Sequence, residues 1–218
     1  MKTFKALSAL LNYPTAELQE AVGDIRQVLV DERLVEAETL EPLLTQVAKD
    51  GLFDLQSRYV DLFDRTPKLS LYLFEHIHGE SRERGQAMVD LHELYRRHGL
   101  ELDTRELPDY LPLFVEFLSI MPLEEARRLL AETVHILSAL QQRLEEKGSP
   151  YAAILSALIM LAGLEAQPHA IAALRELPDA TPELLDQEWE ETPVTFGPEC
   201  NQTGNSEQPI VLNRRRHH

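Results

Sequence analysis

LSLYLFEHIHGESRERGQAMVDL, from Leu69 to Leu91, is the stretch around which the rest of the chain is organised. Its opening, Leu69-Ser70-Leu71-Tyr72-Leu73-Phe74, is mostly apolar. Glu75, His76, His78, Glu80, Arg82, Glu83 and Arg84 then crowd around Gly79 and Ser81. Beyond them Met88, Leu91, Leu94 and Tyr95 recur at helical spacing, with Ser81 suited to cap that helix and Gly99 to close it. Apolar anchors on one side and charges of both signs on the other describe a structured corner between helices that meets something. The plainer alternative is a polar turn followed by a solvated first helical turn. Composition alone favours the plainer one, because charge runs usually face water.

Upstream, the same period of 3.6 persists. Phe4, Leu7, Leu10 and Leu11 share a face until Tyr13-Pro14 stops the helix. Thr15 caps the next, striped by Leu18, Val22, Ile25, Val28 and Leu29. Thr39 is a fitting N-cap for a third, with Pro42 in its permissive first turn. Leu40, Leu43, Leu44 and Val47 follow, and then Leu52, Leu55, Tyr59, Leu62 and Phe63 as far as Asp64.

Downstream, Pro108 and Pro112 are tolerable together only near a helix start, ahead of Leu113, Phe114, Phe117 and Leu118. The spacing predicts one long helix from about Leu123 to Lys147, closed by Gly148. Ser149-Pro150 is then placed at Ncap and N1 of the next, and Pro168 opens a short helix through Leu177. No useful length alternates with period two. An all-α fold is therefore expected, a single bundle of roughly nine or ten helices over residues 1–177. From Pro178 onward Lys and Arg vanish until Arg214 and acids recur, so residues 178–218 read as a mobile acidic extension.

The chain carries 21 Lys and Arg against 37 Asp and Glu, a net charge of −16. Such a surface repels nucleic acid and anionic lipid and attracts a basic segment. Cys200 is the only cysteine, which excludes an internal disulfide and a multi-cysteine zinc site. The longest apolar run, Tyr151 to Leu164, falls short of the roughly 20 residues a membrane span needs. Met1 leads directly into an amphipathic pattern, so no signal peptide is expected, and the expected address is the cytoplasm.

Catalytic motifs are scarce. There is no G-x-S-x-G elbow and no glycine-rich phosphate loop. His76 and His78 form H-x-H, and a metal-dependent hydrolase using them with a carboxylate is one alternative, but two histidines do not define a site of three or four ligands. Asp109, Leu113, Glu116 and Phe117, at spacings of four and three, are predicted to share a face mixing acid and apolar surface. Such a face suits a basic amphipathic helix laid in a groove, although Phe114, Phe117 and Leu118 also read as plain core with Glu116 solvated.

Three segments carry a family resemblance: Tyr59-Val60-Asp61-Leu62-Phe63-Asp64, the run Leu73 to Met88, and Glu106-Leu107-Pro108-Asp109-Tyr110-Leu111-Pro112-Leu113. With Leu10-Leu11-Asn12-Tyr13-Pro14 and Trp189-Glu190-Glu191, they make residues 4–196 resemble the NarJ subfamily of the TorD-like redox-enzyme maturation chaperones. These are the molybdenum cofactor assembly chaperones of respiratory nitrate reductase. The resemblance implies an all-α protein with no enzymatic activity and no cofactor of its own. It also implies that the protein holds the basic, helix-forming N-terminal segment of the apo catalytic (alpha) subunit. Membrane anchoring then waits until the molybdenum cofactor and an iron–sulfur cluster are inserted. Cofactor-delivery proteins are candidate further partners.

One departure stands out: the family pattern L-P-D-H has Tyr110 in place of its histidine. The expected peptide-binding residues are Tyr59, Phe63, Glu75, His76, Asp109, Tyr110, Leu113, Glu116 and Phe117, the apolar ones anchoring and the acids pairing with Lys or Arg. His78, Glu80, Arg82 and Arg84 are expected to pin the corner through charged hydrogen bonds. A helical regulatory adaptor with another client is the remaining alternative.

Overall fold

A computed structural model describes residues 1–78, 82–102 and 106–163. Glu80, Ser81, Cys200, the helix expected after Pro168 and the extension expected over 178–218 lie outside the described residues, as do the side chains of His78 and Arg82. Among the described residues the chain forms ten α-helices and no strand. In order they are α1 Lys2–Leu11, α2 Ala16–Glu32, α3 Ala37–Lys49, α4 Leu52–Tyr59, the single turn α5 Glu75–His78, α6 Arg82–Arg97, α7 Leu111–Ile120, α8 Leu123–Glu132, α9 Val134–Glu146 and α10 Ala152–Ala162. Among the described residues no helix is long and apolar enough to cross a membrane.

The bundle is held by the stripes the sequence displays. On α1, Phe4, Leu7, Leu10 and Leu11 are fully buried, and the helix packs against α7 and α2. α10 lies against α9 and α8, and α2 against α3. One apolar cluster runs through all of them, so each stripe is shielded by its neighbours and not by its own helix. Polar cross-links fix the register. Ser8 Oγ donates to Pro112 O at 2.7 Å between α1 and α7. Glu32, at the end of α2, accepts from Lys2 N (2.9 Å), Thr3 N (2.8 Å) and Thr3 Oγ1 (2.7 Å), which caps the start of α1. Burial pushes the Glu32 carboxyl up, but those hydrogen bonds outweigh it and hold it below the usual range.

Four boundaries differ from the sequence expectation. The single helix over 123–147 is two, broken at Thr133 (φ −99, ψ −2). Its hydroxyl and its N–H both go to Leu130 O, at 2.8 and 3.0 Å, a local alternative to continuing the helix. α4 does not run on to Asp64 as an α-helix. Val60–Asp64 is a π turn, in which Arg65 N–H reaches back to Val60 O at 3.0 Å. This wider turn buries Phe63 while leaving Asp61 and Asp64 exposed. α3 starts at Ala37, so Thr39 lies inside it, its hydroxyl on Glu36 O at 2.7 Å. α10 starts at Ala152, leaving Ser149-Pro150 in the turn before it. Gly99 (φ +78) and Gly148 (φ +63) do end their helices as expected, in the left-handed region that favours glycine.

The corner is tied to the approach of α7. After the 3₁₀ turn Pro67–Leu69, Tyr72 and Tyr110 form an isolated antiparallel bridge. Its rungs are Leu73 N–H to Asp109 O at 3.0 Å and Leu111 N–H to Leu71 O at 2.8 Å. Tyr95 on α6 donates its hydroxyl to Pro108 O at 2.7 Å. Two segments almost forty residues apart are thus one structural unit.

Candidate functional site

The bridge sets Tyr72 and Tyr110 side by side, ring centroids 5.3 Å apart and planes 38° to each other. Opposite them the end of α4 and the π turn bring Tyr59 and Phe63, and the α1–α2 turn brings Tyr13. Together with Leu71, Asp64 and Glu106 these residues line a cleft of about 190 Å³. Its rings brace one another: Tyr13 meets Tyr59 edge-on at 5.6 Å, Tyr59 meets Phe63 at 4.8 Å, and Phe63 meets Tyr151 edge-on at 5.1 Å.

The hydrogen-bond directions in this cleft follow from counting hydrogens. Tyr59 donates its hydroxyl to Leu11 O at 2.9 Å. A phenol has one hydrogen, so in the 3.0 Å contact between Tyr59 and Tyr110 the donor is Tyr110. Tyr72 donates to Glu106 Oε2 at 2.7 Å. Burial raises Tyr59, Tyr110 and Tyr72 above the usual phenol value, and Glu106 adds to the rise at Tyr72 and Tyr110, so all three keep their protons at neutral pH.

The residues expected to receive a peptide are divided among three places. Tyr59, Phe63 and Tyr110 line the tyrosine cleft, the first two buried as its floor. Leu113, Glu116 and Phe117 line a second cleft of about 270 Å³ on the flank of α7, with Lys5, Tyr95, Leu100, Leu102 and Ile120. There Glu116 is exposed and lies 3.7 Å from Lys5 Nζ. Glu75, His76 and Asp109 belong to the corner.

Asp109 corrects the register argument. α7 begins at Leu111, so Asp109 does not share the helix face of Leu113, Glu116 and Phe117. It is 0% exposed, and its Oδ2 accepts the Phe74 N–H at 2.9 Å, so it organises the corner backbone and offers no charge at the surface. Burial raises its carboxyl above the usual range, with the Phe74 hydrogen bond and the Arg84 charge pulling the other way. Oδ1 has no partner among the described residues.

His76 is also enclosed. Its Nε2 lies 2.8 Å from Ser70 O, and since a carbonyl only accepts, that nitrogen carries the hydrogen. Burial lowers its pKa, which keeps the ring neutral. Glu75 is half-exposed, accepting from Ser70 Oγ and pairing with Arg84 at 3.3 Å. Arg84, of the four residues expected to pin the corner, makes this contact from α6; His78, Glu80 and Arg82 fall outside what is described at side-chain level. Among the described residues no three His, Cys, Asp or Glu gather in a way that could hold a metal ion.

Tyr13, Asp64, Tyr72 and Glu106 escape a reading of the sequence alone. Tyr72 sits in an apolar run that reads as core, and Glu106 is 34 residues away with no local signal of pairing.

Rings and hydrogen-bond acceptors thus surround an open cleft in an all-helical bundle. The chain belongs to the family described as nitrate reductase delta subunit, whose pattern matches residues 12–157. It is 40% identical over 195 residues to the nitrate reductase molybdenum cofactor assembly chaperone NarJ of Escherichia coli strain K12, covering 87% of this chain and 83% of that protein. Identity is 38% over 218 residues to the probable nitrate reductase molybdenum cofactor assembly chaperone NarW of the same strain, covering 99% and 92%. A probable NarJ of Bacillus subtilis strain 168 is 33% identical over 166 residues, covering 75% and 88%. The alignment to NarW takes in 99% of the chain, so the likeness extends well beyond the corner segments.

Proposed function

We propose that this protein is an assembly chaperone of a nitrate reductase. On this reading it holds the basic N-terminal segment of the apo catalytic (alpha) subunit while the molybdenum cofactor is inserted, before membrane anchoring. The observation that carries the role is the 40% identity to a nitrate reductase molybdenum cofactor assembly chaperone over 87% of the chain. The mode of binding draws support from charge and surface. A net charge of −16 and clefts combining rings, apolar floors and exposed Asp64, Glu106 and Glu116 complement a basic amphipathic segment. The chain acts by covering that segment and performs no catalytic step.

Two unit charges about 4 Å apart gain roughly 1 kcal/mol in water and about 4 kcal/mol at an effective dielectric of 20. Binding at exposed acids is therefore salt-sensitive. Titrating the N-terminal peptide of the catalytic subunit into the full chain is expected to give saturable binding. Affinity is expected to fall at least about fivefold as salt rises to about 0.5 M. Absence of binding at low salt contradicts the proposal; salt-independent binding contradicts the role of the acids.

A further inference from the structure

We infer that the tyrosine cleft is a subsite for a single arginine side chain of the bound segment, recognised as a guanidinium in preference to an ammonium. This deepens the peptide-holding function proposed above and rests on it.

The inference comes from the direction of the hydrogen bonds. Tyr110 has spent its hydrogen on Tyr59, and Tyr59 has spent its own on Leu11 O. Tyr72 has spent its hydrogen on Glu106. What Tyr72 and Tyr110 present to the cleft is therefore lone pairs only. The carboxylates of Glu106 and Asp64, both exposed at the rim, likewise only accept. On the side of the cleft formed by Tyr72, Tyr110, Glu106 and Asp64, a ligand that accepts hydrogen bonds, or carries negative charge, finds no side-chain donor. The Tyr13 hydroxyl, on the α1–α2 turn, is the one lining hydroxyl not committed in this way. A ligand that brings several donors and a positive charge satisfies that side.

The rings choose between the two basic side chains. Tyr72 and Tyr110 stand 5.3 Å apart and tilted by 38°, both half-buried and both lining the cleft, and each ring carries a π face. A planar guanidinium can stack on such a face while its five N–H groups fan out to acceptors around its edge. An ammonium has three donors on one atom and no plane to stack, and it holds its water more tightly. The cleft's volume of about 190 Å³ exceeds several times the roughly 30 Å³ of a water, so it takes a head group with part of its stem.

The test replaces each arginine of the catalytic subunit's N-terminal peptide by lysine, one at a time, and titrates each peptide into the full chain. One replacement is expected to weaken binding about tenfold or more, the rest little. In Glu106→Gln and in Tyr110→Phe that difference is expected to shrink to about twofold. Parent peptide binding with every lysine peptide equal to it overturns the subsite and leaves the proposed function standing. A preference that survives both variants overturns the location. If the parent peptide does not bind, the proposed function fails, and N-acetyl-arginine amide against N-acetyl-lysine amide, followed by NMR of the tyrosine rings, decides the subsite alone. Selective shifts of Tyr72 and Tyr110 with the arginine compound support it, and equal or absent shifts overturn it.

Discussion

Asp109→Lys is expected to lose about 3–5 kcal/mol of folding stability, whereas Asp109→Asn is expected to stay within about 1 kcal/mol of the parent. Lysine at a fully enclosed position buries an ammonium beside Arg84 and removes the acceptor of the Phe74 N–H. Asparagine keeps an oxygen for that N–H and removes a charge that burial disfavours. The pH dependence has a definite sign. A carboxyl whose folded pKa is raised stabilises the fold most below its unfolded value, and that contribution is lost as pH rises through the folded value. The deficit of Asp109→Asn relative to the parent should therefore be larger at low pH than at neutral pH. Urea unfolding followed by circular dichroism at both pH values measures each effect. A lysine variant as stable as the parent would show that Asp109 reaches solvent after all.

The double variant Asp64→Lys, Glu106→Lys is expected to bind the client peptide about 100-fold more weakly, with little change in stability. Both side chains are exposed, so reversing them strains no core. Each reversal turns an attraction into a repulsion at the mouth of the same cleft, and roughly 1–1.5 kcal/mol per site at surface dielectric reaches that factor. Glu106→Lys also removes the acceptor of the Tyr72 hydroxyl, which frees a donor where only acceptors stood. Calorimetric titration beside a thermal melt separates the two quantities. Unchanged affinity with unchanged melting would move the binding surface elsewhere, the flank of α7 being the next to probe.

Much of the fold is legible because helix burial depends on local spacing. Phe4, Leu7, Leu10 and Leu11 announce their face within eight residues, and that face is buried. Gly99 and Gly148 mark their helix ends because few other residues adopt a positive φ. The break at Thr133 is not visible that way, since an apolar stripe continues across it and only a hydroxyl turned onto Leu130 O interrupts the helix.

The candidate site is less legible for a related reason. The expected register for Asp109 extends the spacing of α7 backward past its true start at Leu111, where the chain is already paired with residues 71–73. The cleft itself is made by that pairing. Tyr72 and Glu106 meet only because one antiparallel bridge closes between segments far apart in sequence, and no periodicity encodes such a contact. Tyr110 could be singled out for departing from the family pattern. Its role as a donor to Tyr59 could not, because it depends on Tyr59 already being committed to Leu11 O.

The most direct measurement is photo-crosslinking of the catalytic subunit's N-terminal peptide, carrying a benzophenone beside each arginine in turn, to the full chain, with the adducts mapped by mass spectrometry. Adducts on Tyr13, the 59–64 turn, Tyr72 and 106–110 are the expected result. Adducts confined to the α8, α9 and α10 surface, with none on those segments, would contradict it.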